Sequence, residues 1–515
     1  MNEFEPLLPD DEHNRKLVGH VHPSDWTNPQ PDRPYHLVVI GAGTAGLVTA
    51  AAAAGLGARV ALIERQLMGG DCLNVGCVPS KAIIRSARLA ADLRSASDFG
   101  ITLTQLPFVD FPAVMERMRR LRAEISPHDS AARFQELGVD VFFGSASFAD
   151  GDRVSVDSPH GSRTLEYRKA VVATGARAAA PPIPGLDSVH YLTNETVFSL
   201  TGLPRRLGVI GSGPVGCEMA QALSQLGSEV VLFDRGDRIL SKEDPEAAQV
   251  VAEQFSRDGI QLVLNSKLLK ISETSEGFSI TYSQGNEEHE LLVDQLLVAA
   301  GRAPNVDELN LESVGVDYDS NGISVNDHLQ TSNPRIFAAG DVCSRYKFTH
   351  LADFQARIVL QNALFSIGPF GRKKMSQLVI PWCTYTSPEV AHVGLFEHEA
   401  ARRGIQVDVY KQDLAGVDRA ILEGETQGFV KILTKRDSDR IVGATIVAAH
   451  AGEMISEITV AMNGGIGLSK IAGAIHPYPT QAEAIRKIGD QYNRTRLTPF
   501  SQRLLNLLRR INVGR

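Results

Sequence analysis

Two stretches of the chain share one order of apolar and polar positions: a short apolar strand, a glycine-rich turn, a helix and a second apolar strand. The first occupies residues 35–64 and the second residues 206–234. Their strands are continuous apolar runs, which indicates burial on both faces of a parallel sheet. The pattern therefore predicts two βαβ units within an α/β fold.

The turns of both units carry the same glycine fingerprint, followed by an acidic residue. These residues are Gly41, Gly43, Gly46 and Glu64 in the first unit and Gly211, Gly213, Gly216 and Asp234 in the second. The first glycine precedes the acidic residue by 23 positions in both units. Such turns bring the backbone close to a pyrophosphate at a helix N-terminus, while the carboxylate binds a ribose. The repeat therefore predicts two bound dinucleotides.

Composition and charge narrow the class of protein. The chain has 515 residues, of which 43% are hydrophobic and 22% charged, as in soluble proteins of several domains. Its net charge of −8 disfavours a nucleic-acid partner. Five cysteines are too few for a disulfide framework, and the first residues lack a signal-peptide pattern. We therefore expect a cytoplasmic protein.

Cys72 and Cys77 lie in a glycine-containing, electropositive turn. A regular helix would hold their α-carbons about 8.6 Å apart, beyond the limit of about 7 Å for a disulfide. The backbone must therefore bend, and Gly76 permits the bend. A helix starting nearby, together with Lys81, would favour a thiolate at Cys77. This pattern predicts a redox-active dithiol.

The alternatives to a redox pair are chance proximity of the two cysteines in a core and half of a zinc site. Zinc sites favour two to four intervening residues and a second pair of ligands. The sequence has no second pair of cysteines, and Cys217, Cys343 and Cys383 are isolated. We therefore predict no structural metal site.

The run GGDCLNVGCVPSKA resembles the active-site signature of the class I pyridine nucleotide-disulfide oxidoreductases. This flavoprotein family includes dihydrolipoyl dehydrogenase, glutathione reductase and mercuric reductase. The resemblance implies that Cys72 exchanges with the acceptor and that Cys77 is a charge-transfer thiolate beside the flavin. It also implies an ion pair between Lys81 and Glu218 at the flavin, and a homodimer.

The resemblance also assigns the nucleotide sites. The first unit would bind FAD, and the second would bind NADH or NADPH. Further cofactor-binding positions lie in the chain crossovers and in a second flavin motif, namely Thr174, Gly175, Gly301, Gly340 and Asp341. Asp234 favours NADH because a carboxylate repels a 2′-phosphate, whereas the adjacent Arg235 would suit NADPH. We favour NADH slightly.

The predicted fold has two Rossmann-like domains, the NAD domain inserted into the FAD domain, and a C-terminal α+β dimerisation domain. Proline-rich residues 1–35 are predicted to form an extended, irregular arm that packs on the body if Trp26 finds a pocket. The boundaries that follow are 36–185 and 305–375 for the two FAD-binding parts, 186–304 for the NAD(P)-binding domain, 376–490 for dimerisation and 491–515 for a tail.

The C-terminal region departs from the family's pattern. Members supply a histidine base from the partner subunit, followed five residues later by glutamate, but here Tyr478 precedes Glu483 at that interval. Mercuric reductases also carry tyrosine there, so the resemblance is greatest to that branch of the family. It implies that Glu483 orients Tyr478. Their C-terminal cysteine pair is missing, because the last cysteine is Cys383. His476 remains an alternative base.

The predicted function is therefore electron transfer from NAD(P)H through FAD to Cys72/Cys77 and on to a small molecule or metal ion. Hg(II), transiently bound by both thiols, is the first candidate acceptor. A disulfide reductase such as dihydrolipoyl dehydrogenase is the alternative enzyme. A flavin-based redox sensor and, last, a quinone reductase are the remaining alternatives.

The tail has leucines and an isoleucine on one helical face, with arginines around them. Two interpretations stay open at this point. The tail could pack on the dimer, or it could bind weakly to an anionic membrane surface.

Overall fold

The structure is a computed structural model that describes residues 7–105 and 108–514. These residues form two compact units, one within Met1–Arg235 and Gln261–Leu378 and one within Gly236–Ile260 and Val379–Arg515. Both units combine helices with sheets, which confirms the predicted α/β class. The finer domain boundaries stay predictions.

The first part of the chain builds a mixed sheet flanked by helices. Its elements are α1 (Glu12–Val21), β1 (Tyr35–Ile40), α2 (Thr44–Gly55), β2 (Val60–Glu64), α3 (Gly70–Asn74), α4 (Cys77–Arg94), α5 (Phe111–Ile125), α6 (Ala131–Glu136), β3 (Val139–Phe143), β4 (Ser145–Asp150), β5 (Arg153–Ser158), β6 (Gly161–Val172) and β7 (Ala176–Ala178). The strand order is β3-β2-β1-β6-β5-β4, parallel from β3 to β6 and antiparallel beyond. The turn from β1 to α2 therefore lies at the carboxyl edge of the parallel strands, where nucleotides bind.

The inserted region repeats this plan. Its elements are β8 (Arg206–Ile210), α7 (Pro214–Leu226), β9 (Glu229–Phe233), α8 (Pro245–Arg257), β10 (Gln261–Val263), β11 (Ser266–Thr274), β12 (Gly277–Gln284), β13 (Glu287–Val293), β14 (Gln295–Val298) and β15 (Arg302–Pro304). Strands β10-β9-β8-β14 form a parallel sheet, and β11-β12-β13 form an antiparallel one. The unit β8-α7-β9 thus has the same topology as β1-α2-β2, while α8 belongs to the second compact unit.

The chain then returns to the first sheet. The elements are β16 (Tyr318–Asp319), β17 (Gly322–Ile323), β18 (Ile336–Ala338) and α9 (Thr349–Leu364). Strand β18 pairs in parallel with β6. Alternate residues of β1 face two different cores, with Leu37 and Val39 in one and Val38 and Ile40 in the other. Burial on both faces explains why this strand is a continuous apolar run.

The second unit contains an antiparallel sheet covered by helices. Its elements besides α8 are β19 (Pro381–Thr384), β20 (Glu389–Gly394), α10 (Glu397–Arg402), β21 (Val407–Asp413), α11 (Asp418–Leu422), β22 (Phe429–Lys435), β23 (Ile441–Ala448), α12 (Ala451–Asn463), α13 (Leu468–Ala472), α14 (Glu483–Thr495) and α15 (Pro499–Val513). The strand order is β19-β20-β23-β22-β21. Apolar residues of α12, α13 and α14 join the core of this sheet, whereas no residue of α15 is buried.

The N-terminal arm differs from its prediction. It was expected to be extended and irregular, but residues Glu12–Val21 form α1, which begins where Asp11 accepts a hydrogen bond of 2.8 Å from the Asn14 amide. No proline lies between Pro9 and Pro23, so the helix is free to form. The predicted packing of Trp26 is confirmed, because its indole nitrogen donates to the Val141 carbonyl oxygen at 3.1 Å.

Short 3-10 turns occur at Ala96–Phe99, Ser126–Asp129, Leu186–Ser188, Val197–Ser199, Leu311–Val314, Met375–Gln377 and Leu414–Gly416. Within residues 7–105 and 108–514, no helix combines the length and the apolar character that a bilayer span requires.

Candidate active site

The dithiol lies at an interruption between two helices. Helix α3 ends at Asn74 and α4 begins at Cys77. A β-carbon on Gly76 would lie only 2.6 Å from the Asp71 carbonyl oxygen, so glycine is needed for this close approach. The predicted bend is confirmed, and it brings the free thiols of Cys72 and Cys77 within hydrogen-bonding reach.

The surroundings divide the two thiols into a thiolate and a thiol. A hydrogen bond from Cys72, helped by Thr349 and the charge of Lys81, lowers the pKa of Cys77 to about 6. The Thr349 hydroxyl oxygen lies 3.4 Å from the Cys77 sulfur. Cys77 is also the first residue of α4, where the helix dipole favours an anion. The same hydrogen bond, together with burial, raises the pKa of Cys72, so Cys77 is the first thiolate.

Lys81 and Glu218 form an ion pair next to the dithiol. The Lys81 ammonium on α4 lies 2.8 Å from a carboxylate oxygen of Glu218 on α7. Glu218 is buried, and a buried carboxylate requires such a partner. The charge of Lys81 also acts on Cys77, so one cation joins the thiolate to the second βαβ unit.

An acidic residue beside Cys72 forms a second ion pair that residue spacing did not predict. The Arg302 guanidinium donates a hydrogen bond to the Asp71 carboxylate, and its Nε lies 3.6 Å from the Asp341 carboxylate. Burial raises the pKa of Asp341, although Arg302 and Lys347 oppose the effect. An acidic residue within an otherwise electropositive turn could have signalled a cationic partner. Thr349 gave no such signal, because it stands 272 positions from Cys77.

The two glycine turns agree in their φ angles and in their closest backbone approaches. Gly41 and Gly211 have φ angles of +101° and +103°, which favour glycine. A β-carbon on Gly46 would lie 1.8 Å from the carbonyl oxygen of Gly41, and one on Gly216 would lie 1.9 Å from that of Gly211. Gly43 and Gly213 are the N-caps of α2 and α7. This agreement bears out the repeat.

The acidic residues that end β2 and follow β9 hold their own glycine turns. Glu64 accepts a hydrogen bond of 2.8 Å from the Ala42 amide, and Asp234 accepts one of 2.8 Å from the Ser212 amide. Burial raises the pKa of Glu64. Arg235 is exposed. Ribose binding by both carboxylates stays a prediction.

The two chain crossovers meet. Strands β7 and β15 pair antiparallel, and the Thr174 hydroxyl donates to the Asn305 carbonyl oxygen at 2.7 Å. Gly175 and Gly301, at φ angles of +69° and +153°, permit the turns beside this pairing. Gly340 has a φ of +83° and directly precedes Asp341 at the end of β18. The structure thus gathers these predicted cofactor positions into one unit.

These residues fit FAD. A β-carbon on Gly41 would lie 2.4 Å from the Ala173 carbonyl oxygen, and one on Gly70 would lie 2.7 Å from the Gly43 α-carbon. Beside this cradle, the buried Nε of Arg302 makes no hydrogen bond within the described residues, although an oxygen of the Asp341 carboxylate lies 3.6 Å away. A narrow backbone groove with an unsatisfied buried donor suits an anionic dinucleotide. Gly41, Gly43, Gly46 and Asp341 would hold it.

The C-terminal residues differ from the predicted pairing. Glu483 was expected to steady Tyr478, but it binds Arg486 at 3.0 Å, whereas the Tyr478 hydroxyl donates to Asp418 at 2.9 Å. The start of α14 turns Glu483 toward Arg486 three residues later. The hydrogen bond to Asp418 raises the pKa of Tyr478. His476 instead binds Glu457 at 2.9 Å, and its side chain is only 9% exposed.

No metal-binding group lies elsewhere in the described residues. Among them, no cluster of three or more His, Cys, Asp or Glu side chains could hold an ion; the absence of a structural metal stays a prediction. The isolated thiols have unreactive surroundings: Cys217 is buried, and burial raises the pKa of Cys343 to about 12.

Comparison with known proteins places this chain in a family. Residues 35–356 match the description "Pyridine nucleotide-disulphide oxidoreductase", and residues 380–488 match its dimerisation domain. The chain is 34% identical to mercuric reductase of Staphylococcus aureus, covering 88% of this chain and 82% of that protein. It is 32% identical to dihydrolipoyl dehydrogenase of Bacillus subtilis (strain 168), in an alignment that covers 87% of this chain and 94% of that protein.

A solved structure shares the fold. The Cu(II) complex of the HOCl-induced flavoprotein disulfide reductase RclA from Escherichia coli aligns with a TM-score of 0.78 and 26% identity. The alignment covers 89% of this chain and 99% of that one. The dimerisation domain supports a homodimer, and members of the family use FAD and NAD(P)H. The chain therefore belongs to the pyridine nucleotide-disulphide oxidoreductases, as a flavoprotein disulfide oxidoreductase.

Proposed function

We propose that this enzyme reduces a soft metal ion bound by its dithiol, with Hg(II) as the first candidate. The observation that carries this proposal is Tyr478 at the position of the family's base. Its side chain is 70% exposed, and its hydrogen bond to Asp418 raises a pKa that is ordinarily near 10. Such a phenol cannot accept a proton at neutral pH, so reactions that need no base are favoured.

Metal exchange between thiolates meets this condition. Reducing a disulfide requires a proton for the thiolate that leaves, whereas Hg(II) passes between sulfur ligands without one. FAD, when bound, transfers two electrons from NAD(P)H to the sulfur side. Cys72 and Cys77 would bind Hg(II), which takes up two electrons and leaves as Hg(0), while NAD(P)H becomes NAD(P)⁺ and releases a proton. The low pKa of Cys77 supplies the first thiolate ligand.

The names of similar proteins support a metal acceptor. One relative is a mercuric reductase, and one structural neighbour is a Cu(II) complex of a flavoprotein disulfide reductase. Cu(II) is therefore the second metal to test. For the nicotinamide, the carboxylate of Asp234 supports NADH over NADPH, since it would repel a 2′-phosphate.

A disulfide reductase is the second candidate, and one contact favours it. His476 lies 2.9 Å from the Glu457 carboxylate, which is the arrangement of an oriented general base. Against this role, only 9% of the His476 side chain is exposed, whereas Tyr478 is open to solvent. A base that serves a partner subunit must protrude, and the His476 side chain does not.

Turnover with Hg(II), Cu(II), lipoamide and glutathione disulfide, each with NADH and with NADPH, tests the proposal. We expect metal-dependent oxidation of NADH that Cys72→Ser abolishes, and turnover of both disulfides at least about a hundredfold slower. Faster turnover of lipoamide than of either metal would refute the metal proposal.

Two matched variants separate the candidates. Tyr478→Phe should leave metal reduction within about twofold, because the phenol transfers no proton in it. His476→Gln should also leave it unchanged. If His476→Gln instead removes a disulfide reductase activity that Tyr478→Phe retains, the second candidate is correct.

A further inference from the structure

We propose that α15 binds reversibly to the surface of an anionic phospholipid bilayer. The helix comprises Pro499–Val513 and lies beyond residue 488, where the match to the family's dimerisation domain ends. It is therefore an addition to the part of the chain that the family uses for subunit contact.

The helix is amphipathic, and its apolar face is uncovered. Residues 500, 504, 507, 508 and 511 recur at the i, i+4, i+7, i+8 and i+11 positions of one face. The exposed fractions of the apolar side chains of α15 range from 45% to 79%; they are Phe500, Leu504, Leu505, Leu507, Leu508, Ile511 and Val513. An exposed apolar stripe of this kind marks a site that contacts another protein surface or a membrane.

The hydrogen bonds of α15 leave it independent of its surroundings. Thr498 caps the helix by accepting from the Ser501 amide at 3.2 Å. Ser501 and Gln502 donate to carbonyl oxygens of Arg496 and Leu497 at 3.0 Å and 3.1 Å. Within the described residues, the side-chain hydrogen bonds of this helix all end at residues 496–501. The side chains of α15 thus make hydrogen bonds only to the start of the helix and to the residues just before it, within the described part of the chain.

The charge of this segment indicates which surface binds the apolar face of α15. No aspartate or glutamate follows Asp490, although the whole chain carries a net charge of −8. The same stretch contains six arginines, namely Arg494, Arg496, Arg503, Arg509, Arg510 and Arg515. A second copy of an acid-free, arginine-rich helix would repel this one, whereas anionic headgroups attract it. Each arginine near such a surface contributes affinity, and the apolar stripe enters the headgroup boundary.

The length of α15 agrees with lying on a membrane. Fifteen residues of helix span about 22 Å, which is less than the hydrocarbon thickness of about 30 Å. A single stripe of this size gives reversible attachment. The protein would exchange between solution and the bilayer surface.

Vesicle flotation of the full chain loaded with FAD tests the proposal. We expect flotation with vesicles of phosphatidylglycerol and phosphatidylcholine in equal parts. Phosphatidylcholine alone should give none, and high salt should release the protein. Leu507→Asp and Asn506→Asp add the same charge on the apolar and polar faces, so Leu507→Asp should weaken binding at least about tenfold more.

Turnover and light scattering complete the test. Both variants should keep wild-type NAD(P)H oxidation and dimer mass, since their side chains are exposed. The membrane proposal is wrong if Leu507→Asp floats like the wild type, or if vesicles never bind and Leu507→Asp dissociates the dimer. Equal flotation with neutral vesicles would also overturn it, because charge would then play no part.

Discussion

The guanidinium group of Arg122 donates a hydrogen bond of 2.5 Å to the carbonyl oxygen of Asn74, the last residue of the helix that carries Cys72. Its other nitrogen donates to the Asn14 side chain at 2.7 Å. Burial lowers the pKa of Arg122 to about 10. One buried cation therefore joins the arm helix α1, helix α5 and the dithiol turn.

Arg122→Met should loosen this junction. Methionine retains the apolar stem but leaves the oxygens of Asn74 and Asn14 without their donor, which costs about 2 to 4 kcal/mol. We expect the unfolding temperature to fall by several degrees and the thiols to react faster with an alkylating reagent. Arg120→Met on the same helix is the control, since Arg120 is exposed and, among residues 7–105 and 108–514, pairs only with nearby Glu124 at 2.8 Å. Equal effects of both variants would contradict the role of Arg122.

The thiolate of Cys77 should titrate below the usual range of a thiol. A thiolate beside the flavin gives a long-wavelength charge-transfer absorbance band. Because the pKa of Cys77 is lowered to about 6, this band of the reduced enzyme should grow with pH around a midpoint near that value. Cys72→Ala removes the largest cause and should raise the midpoint by about one pH unit or more. Cys72→Ser, which retains a donor, should raise it less. If neither substitution of Cys72 changes the midpoint, Cys72 is not the cause of the lowered pKa of Cys77.

Lys81 should be needed for fast electron transfer. Lys81→Met removes the cation 2.8 Å from Glu218 and beside Cys77. We expect the rate constant of flavin reduction by NADH to fall at least about tenfold. Stopped-flow absorbance measures this step, and Lys81→Arg, which keeps the charge, should recover part of the rate. Loss of the same size in both variants would show that shape, not charge, matters.

Glu243 should make stability depend on pH. It accepts a hydrogen bond of 2.8 Å from Trp382, and burial with the nearby charge of Asp244 raises the pKa of Glu243 from 4.5 to about 7. The folded state therefore binds this proton more tightly, so the contribution of Glu243 to stability is fully present below pH 4.5 and is lost as pH rises through about 7.

Glu243→Gln imitates the protonated acid and should flatten this decline, which amounts to about 3 kcal/mol at most. Unfolding temperatures measured across this pH range give the slope. Glu253→Gln on the exposed side of α8 is the control and should keep the wild-type slope. A wild-type slope in Glu243→Gln would mean that Glu243 ionises freely.

Local sequence spacing predicted those parts of the site that lie within short segments. The bend at Gly76 and both glycine turns depend on residues a few positions apart, and the structure has them as expected. Backbone sterics act at this range, so a single segment carries the signal.

Contacts between distant segments escaped prediction. Asp71 and Arg302 are 231 positions apart, and Arg122 and Asn14 are 108 apart. The interval from Tyr478 to Glu483 suggested a pair, but Asp418, 60 positions away, took the hydrogen bond. Side-chain partners depend on how helices and strands pack, and the spacing of residues along a single chain does not show that packing.

The docking of α1 has a consequence for synthesis of the protein. Leu17 and Val21 are fully buried, and the polar partner of Asn14 lies on α5. The ribosome releases the arm first, so these apolar side chains must stay exposed until α5 has also emerged. Chaperones that bind nascent chains would meet the arm in that interval, and completion of α5 marks the earliest moment at which the dithiol turn can take its final shape.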